Sequence, residues 1–228
     1  MQGTLTEEEI RRNPQLQLYV QMLLEQGDRL GLTAFREAEP IWSELVADSA
    51  TAATLLPENG EICDLGSGGG CPGVILQVLR PDTIIYLLES NGRKAGFLRE
   101  VVSSLGLASQ VLQDRSETVA HQKAYRERFD MVVAKGVATM PTLIELSLPL
   151  LKIGGQLLAF KGRQAQQEIE DSDRALQLLG GQTPRVLPYS LGPKNYCHVL
   201  VEKIAKGHKE FPRRPGIPAK QPLKAKEA

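Results

Sequence analysis

The spacing of hydrophobic positions along the chain changes near residue 60. Before that point, apolar residues recur every three or four positions, which is the spacing of an amphipathic helix. One such stretch contains Leu16, Tyr19, Val20, Leu23 and Leu24. A second covers residues 38–56 and ends at the Pro-Glu-Asn-Gly of residues 57–60. A capping-box pattern at Thr6 marks a helix start. We therefore predict a helical N-terminal extension over residues 1–58.

From residue 61 onward, short apolar runs alternate with helical patterns. We predict strands over residues 61–65, 83–89, 110–113, 129–134, 156–161, 185–188 and 197–202. The helical patterns lie between them, over residues 73–79, 93–105, 116–125, 140–151 and 164–179. This alternation is typical of βαβ units. It predicts an α/β fold with a doubly wound, mainly parallel seven-stranded sheet, whose core we place at residues 59–204.

Composition narrows the class of protein. The chain has 228 residues, of which 42% are hydrophobic and 24% charged, so it is neither disordered, collagen-like nor a coiled coil. No apolar run approaches the roughly 18 residues of a membrane span. The first residues are acidic where a signal peptide is basic and apolar. We therefore expect a cytoplasmic protein with no membrane contact. The three cysteines lack C-x-x-C spacing, so we expect no disulfide framework and no metal site.

The zero net charge conceals an uneven distribution. Residues 1–60 carry four basic and ten acidic side chains, whereas residues 194–228 carry nine basic and three acidic ones. Basic segments bind phosphate backbones, although a lysine-rich terminus can also serve only solubility. The basic, Pro-rich tail at residues 205–228 has no hydrophobic periodicity. We expect it to add little to the core and to contact nucleic acid; the alternative is an ordered strap held by Phe211 and the prolines.

The most informative stretch is the glycine-rich loop at residues 64–73, Asp-Leu-Gly-Ser-Gly-Gly-Gly-Cys-Pro-Gly. It lies between a predicted strand and a predicted helix, where glycines let a ligand approach the backbone. A G-x-G-x-x-G dinucleotide pattern begins at Gly68, and the acidic-x-Gly-x-Gly-x-Gly pattern of S-adenosylmethionine-dependent methyltransferases begins at Asp64. The second places a glycine directly after the strand, and its acid suits a ligand with ammonium and sulfonium groups. An NAD-type oxidoreductase and a purely structural turn remain alternatives.

Polar residues also follow the next three predicted strands. Glu89 ends the second strand, where a carboxylate can accept hydrogen bonds from two ribose hydroxyls. Ser116 and Glu117 follow the third, where an adenine ring would lie, and Lys135 follows the fourth, at the expected switch point. A turn or cap role is the alternative for each.

Together these residues resemble the RsmG (GidB) family, bacterial methyltransferases that modify N7 of a guanine in 16S ribosomal RNA. The resemblance spans about residues 30–223. Its specific parts are the Pro-Gly that closes the glycine loop and the Pro-Arg-Arg-Pro-Gly of residues 212–216. Further matches occur in order at Leu32-Thr33, Asp48-Ser49, residues 87–90, Arg93-Lys94, residues 97–99, residues 115–117, Phe129-Asp130, Leu150-Leu151, Gly154-Gly155 and Lys161-Gly162.

The resemblance implies a class I, Rossmann-like methyltransferase core, S-adenosylmethionine as cofactor and 16S rRNA or the small ribosomal subunit as partner; we expect a monomer. The family's cofactor contacts, together with our own assignments of Gly68 and Glu89, fall on Gly66, Gly68, Cys71, Glu89, Ser116, Glu117 and Lys135. The RNA-binding candidates are Arg93, Lys94, Lys161, Arg213 and Arg214.

Several positions depart from the family pattern. Cys71 stands where Phe or Leu is usual, Glu89 where Asp is usual, and Lys135-Gly136 where Arg-Ala is usual. Gly31 and Leu45 replace a usual Asn and His. Lysine keeps the charge of arginine but lacks its planar fork. Two further hypotheses therefore stay open: a methyltransferase that acts on a small molecule or protein, and an RNA-binding protein with a vestigial cofactor pocket.

The resemblance also predicts the catalytic mechanism. N7 of guanine carries a lone pair and no proton, so methyl transfer needs no general base, and we assign no catalytic residue. Rate enhancement would come from positioning. The target base must be unstacked or exposed in an RNA loop before its edge can react.

Overall fold

The computed structural model describes residues 6–224 and has a seven-stranded sheet at its centre. The strand order is β3-β2-β1-β4-β5-β7-β6, and β7 runs antiparallel to β5 and β6 while the other pairs are parallel. This confirms the predicted doubly wound, mainly parallel sheet. The strands are β1 (Glu61–Leu65), β2 (Ile84–Leu88), β3 (Gln110–Leu112), β4 (Phe129–Lys135), β5 (Leu151–Lys161), β6 (Arg185–Leu191) and β7 (Lys194–Glu202).

Helices precede the sheet and cover both of its faces. They are α1 (Glu7–Arg12), α2 (Pro14–Leu30), α3 (Ala38–Ile41), α4 (Ala47–Ala50), α5 (Gly73–Leu79), α6 (Gly92–Leu105), α7 (Ser116–Val119), α8 (Met140–Ser147), α9 (Ala165–Glu170), α10 (Asp173–Leu179) and α11 (Ile217–Lys220). The capping box at Thr6 is present. Within residues 6–224, no helix has both the length and the apolar character needed to cross a membrane.

Side chains alternate between two hydrophobic layers along each strand, as the pleat of a sheet requires. Ile62 of β1 packs with α5, α6 and the N-terminal helices, whereas its neighbour Cys63 packs with α8 and α10 on the opposite face. Leu16, Tyr19 and Leu23 of α2 are buried in the first layer. The N-terminal extension therefore shares a core with the sheet.

Several predicted element boundaries are wrong. The helix expected over residues 38–56 is divided into α3, a π-helical segment at Trp42–Val46, α4 and a 3₁₀ turn at Ala53–Leu55. The pattern over residues 164–179 forms two helices, α9 and α10, and the helix expected over residues 116–125 ends at Val119. Strands β5, β6 and β7 are longer than predicted, because β5 begins before the Gly154-Gly155 pair and β6 and β7 continue into a hairpin.

Residues 205–224 form a strap packed on the core, so the expectation that the tail adds little to the core is wrong, and the alternative of an ordered strap held by Phe211 is confirmed. Phe211 and Leu223 are only 7% and 6% exposed and belong to the hydrophobic layer around α8. The Thr142 hydroxyl of α8 donates a hydrogen bond to the Pro218 carbonyl at 3.1 Å. Two large apolar side chains spaced far apart in a Pro-rich segment leave no periodic signal, which is why the sequence pattern favoured a tail outside the core. The last part of the tail, residues 225–228, lies outside the described residues.

Candidate functional site

The predicted ligand-binding positions lie at the carboxyl ends of neighbouring parallel strands. The sheet order places the loop after β1 between the end of β2 and the end of β4. Glu89 follows β2, Lys135 ends β4, and Ser116 with Glu117 follow β3 at the edge of the sheet. Because strand order reverses at β1, this edge is the position at which open α/β sheets bind ligands.

The glycine loop turns sharply away from the end of β1. The amide groups of Gly66 and Ser67 both donate to the Leu88 carbonyl of β2, at 2.9 and 3.1 Å. Gly66, Gly68 and Gly70 all have positive φ, of 73°, 56° and 104°. A Cβ at Gly66 would lie 2.9 Å from Cγ2 of Val137, in the loop after β4. The backbone path therefore requires glycine here both for conformation and for space.

Asp64 holds this loop from inside the protein. Its Oδ2 accepts from the Gly73 amide at 3.1 Å, and its carbonyl accepts from the Ser67 hydroxyl at 2.9 Å. Burial raises the pKa of Asp64 to about 7, although the hydrogen bond from the Gly73 amide to its carboxylate opposes the increase. The expectation that this acid faces a cationic ligand is wrong, because its side chain is buried against the start of α5.

Glu89 connects the glycine loop to the start of α6. Its Oε2 accepts from the Gly68 amide at 2.9 Å, and its Oε1 accepts from the Asn91 amide at 2.7 Å. Asn91 in turn caps α6 through its own side chain. Each carboxylate oxygen can accept a further hydrogen bond. Glu89 is thus a fixed, largely buried acceptor next to the loop.

Lys135 is held by the N-terminal extension. Its Nζ pairs with Oδ2 of Asp48 at 2.5 Å and donates to the Glu44 carbonyl at 3.0 Å. Oδ1 of the buried Asp48 accepts from the Tyr189 hydroxyl at 2.6 Å. The sequence matched Asp48 to the family pattern but gave no sign of this pairing, because its two partners lie in elements far along the chain.

His198 of β7 completes this polar cluster. Its ring stacks on Tyr189 with centroids 4.3 Å apart, and its Nε2 lies 2.9 Å from the Thr51 hydroxyl. Among the residues that the structure describes, its Nδ1 has no hydrogen-bond partner. Burial lowers the pKa of His198 to about 4, so the ring is neutral near pH 7.

Cys71 faces a tyrosine of α2. Its Sγ lies 3.2 Å from the Tyr19 hydroxyl, which also donates to the Gly69 carbonyl at 2.8 Å. Burial raises the pKa of Cys71 to about 11, while the nearby Lys135 charge opposes the increase. Cys71 is therefore a neutral thiol. The helical spacing of Tyr19 indicated a core residue and not a partner of the glycine loop.

Ser116 and Glu117 are bound to other parts of the protein. The Ser116 hydroxyl donates to the Leu146 carbonyl of α8 at 2.8 Å. Oε1 of Glu117 accepts from the Gly216 amide of the strap at 2.9 Å. The structure thus connects the end of β3 to both α8 and the tail, which the sequence did not indicate.

The predicted RNA-binding residues fall into two groups. Lys161 pairs with Glu168 at 2.6 Å and is 10% exposed in its side chain, and Arg213 pairs with the buried Glu145. Arg93 and Arg214 are exposed and Lys94 is half-buried. Lys161 and Arg213 therefore have internal partners, whereas the other three remain available to an external phosphate.

This edge of the sheet combines a glycine-lined backbone with one fixed carboxylate and one fixed ammonium group. The thiol and the imidazole beside it are both neutral near pH 7. The arrangement favours the binding and orientation of a ligand that already carries a reactive group, and it does not resemble a nucleophile–base pair.

Comparisons with known proteins agree with this arrangement. Residues 12–195 match the model of the GidB family, rRNA small subunit methyltransferase G. A Moorella thermoacetica protein named ribosomal RNA small subunit methyltransferase G is 39% identical over 213 residues, covering 91% of this chain and 89% of the relative. A protein of the same name from Chloroflexus aggregans is 40% identical over 214 residues, with 92% and 89% coverage.

Two solved structures are similar in fold alone. A mutant of MtNAS in complex with S-adenosylmethionine aligns with a TM-score of 0.58 at 14% identity, covering 90% of this chain and 86% of that chain. M. jannaschii TYW2 in complex with AdoMet aligns with a TM-score of 0.52 at 15% identity, covering 70% and 76%.

Proposed function

Because the chain belongs to the GidB family, rRNA small subunit methyltransferase G, we propose that it transfers the methyl group of S-adenosylmethionine to N7 of a guanine in 16S ribosomal RNA. The observation that carries the proposal is the glycine loop joined to Glu89 through the Gly68 amide. A target atom with a lone pair and no proton suits this site, because methyl transfer to it needs no general base, and burial lowers the pKa of His198 to about 4, which makes its neutral ring a weak base.

S-adenosylmethionine fits the residues at this edge of the sheet. The open backbone at Gly68 supports close approach by a ligand, since a Cβ there would meet only the Gly66 carbonyl oxygen, at 3.8 Å. Glu89 would accept hydrogen bonds from the ribose hydroxyls. We propose the cofactor contacts at Gly66, Gly68, Cys71, Glu89, Ser116, Glu117 and Lys135.

When bound, the cofactor supplies an electrophilic methyl on a sulfonium centre. The chain's own residues would orient it: the loop fixes one end of the ligand, and Lys135, fixed by Asp48 and Glu44, presents a positive charge at the switch point. A lysine there provides a point charge and not the two parallel hydrogen bonds of an arginine. We propose catalysis by this positioning alone.

Exposed cations near the same edge would hold the RNA. Arg93 and Lys94 lie in the first turn of α6, which follows Glu89, and Arg214 lies in the strap. Contacts to phosphate oxygens position a nucleic acid without reading its sequence. We propose these three residues as phosphate contacts and the 16S rRNA, alone or in the small subunit, as the partner.

The test is a transfer assay with methyl-labelled S-adenosylmethionine and four acceptors: purified 16S rRNA, small ribosomal subunits, a mixture of ribosomal proteins and a cell extract. We expect label in RNA and none in protein. Label in protein, or in small molecules of the cell extract, would support the hypothesis of a methyltransferase that acts on a protein or a small molecule. RNA binding without transfer would support a vestigial cofactor pocket.

Glu89→Gln tests the cofactor site by direct measurement of binding. The substitution keeps size but loses the charge assistance to the ribose hydroxyls, worth about 1.5–3 kcal/mol. We expect calorimetry to give an S-adenosylmethionine Kd raised roughly tenfold or more. Glu58→Gln, an exposed glutamate on a loop before β1, is the matched control. An unchanged Kd in Glu89→Gln would mean that Glu89 only shapes the loop and does not bind the cofactor.

A further inference from the structure

An ion pair to a buried carboxylate attaches the strap to helix α8. The Arg213 guanidinium binds the Glu145 carboxylate through Nε to Oε1 at 2.9 Å and through Nη2 to Oε2 at 2.6 Å, and the Arg213 amide also donates to Oε1 at 2.9 Å. Glu145 lies on α8 and is 0% exposed. A carboxylate in that environment requires a partner of opposite charge, so this fork fixes the strap at one point.

Three residues later, the strap touches the proposed cofactor site. Gly216 has a φ of 83°, and its amide donates to Oε1 of Glu117 at 2.9 Å. Glu117 is largely buried at the start of α7, at the end of the sheet where we propose that the adenine ring lies. One carboxylate oxygen of a proposed cofactor contact is therefore held by the tail.

Helix α8 joins these two contacts. It carries Glu145, it accepts the Ser116 hydroxyl bond at Leu146, and through Thr142 it donates to the strap at Pro218. The strap and the start of α7 are thus both bound to one rigid helix. Without the fork, the strap would keep its contacts at Phe211 and Pro218, but the segment between them would no longer fix the Gly216 amide against Glu117.

We propose that Arg213 and Glu145 are positioning residues for the cofactor: their ion pair fixes the strap so that Gly216 orients the Glu117 carboxylate at the adenine end of the site. This inference rests on the proposed S-adenosylmethionine site. It also gives two adjacent arginines different roles, since Arg213 acts inside the protein while Arg214 is exposed and suited to RNA.

The test compares Arg213→Gln with Arg214→Gln in the full-length chain. Titration calorimetry gives the S-adenosylmethionine Kd, and filter binding at several salt concentrations gives the RNA affinity. We expect Arg213→Gln to raise the cofactor Kd about tenfold and leave the salt slope of RNA binding unchanged. Arg214→Gln should leave the cofactor Kd within about twofold and make the slope shallower by about 0.7, the value for one phosphate contact on a single strand.

A second measurement distinguishes positioning from stability. A merely structural role would reduce the folded, active fraction, which lowers the apparent kcat and leaves both KM values unchanged. Positioning of Glu117 raises the KM for S-adenosylmethionine and not that for RNA. In a Glu117→Gln background, Arg213→Gln should change the cofactor Kd by less than about twofold, because residues that act through one another are not additive.

Arg213→Lys keeps the charge beside Glu145 and serves if Arg213→Gln does not fold. It loses the fork, and we expect a smaller rise in the cofactor Kd, about threefold. A folded Arg213 variant that binds S-adenosylmethionine like wild type overturns the inference and leaves the proposed function intact. Wild-type protein that does not bind S-adenosylmethionine overturns the proposed function itself.

Discussion

At Gly66, both backbone conformation and space restrict the glycine loop. Its φ of 73° disfavours any side chain, and Val137 would lie 2.9 Å from a Cβ. We therefore predict that Gly66→Val abolishes S-adenosylmethionine binding in calorimetry and also costs about 1–3 kcal/mol of unfolding free energy. Gly96→Val on α6 is the control, since nothing lies within 4 Å of a Cβ there. Wild-type cofactor affinity in Gly66→Val would show that the loop assignment is wrong.

Asp64 gives the folded protein a pH dependence of known sign. Its pKa rises from 3.8 to about 7 on folding, so between these values the folded chain holds a proton that the unfolded chain has released. The unfolding free energy therefore falls as pH rises through this range, by at most about 1.4 kcal/mol per pH unit. His198, whose pKa falls from 6.5 to about 4, acts in the opposite direction.

We predict that Asp64→Asn removes the Asp64 contribution, because an amide oxygen can still accept from Gly73 but the side chain carries no charge. Relative to wild type, the variant should gain stability as pH rises from about 5 to about 7, while the His198 contribution cancels in the comparison. Urea unfolding at several pH values measures the difference. A difference that does not change with pH would mean that Asp64 titrates normally in the folded chain.

At the scale of elements, the positions of the strands could be predicted but the contacts between distant elements could not. The spacing of Glu61–Leu65 and the glycines after it defines a strand and a turn locally. The pairing of Asp48 with Lys135 joins residues 87 positions apart and has no local signal. The π-helical segment at Trp42–Val46 likewise has no local signal, because its residues have ordinary helical spacing.

The strap is the element for which the sequence favoured the wrong role, and its packing leads to a direct prediction. Phe211 packs in the hydrophobic layer around α8, so Phe211→Ala should cost about 3–5 kcal/mol of unfolding free energy. Ile204→Ala, at a side chain that is 54% exposed, is the control and should change stability little. Equal urea midpoints for the two variants would mean that the strap is not packed in solution.

Across the whole molecule, the uneven charge of the sequence is partly neutralised by folding. Of the basic residues after position 193, Lys194, Lys203, Arg213 and Lys224 form ion pairs with acidic residues elsewhere in the part of the chain that the structure describes. Charge counted along the sequence therefore overstates the positive charge that the C-terminal region has available for binding RNA. The proposed RNA surface depends instead on exposed cations beside the cofactor site, on α6 and in the strap.

The atom that receives the methyl group is the most direct measure of the proposed reaction. Small subunits that lack the modification would be incubated with the protein and S-adenosylmethionine, and their 16S rRNA digested to nucleosides for mass spectrometry. A second sample of the intact RNA, cleaved chemically at the modified base, would then locate the modified position. We predict one added methyl per RNA, found as N7-methylguanosine. A methyl on another atom of guanine, on another base or on ribose would contradict the proposal, as would no transfer by a protein that binds the cofactor.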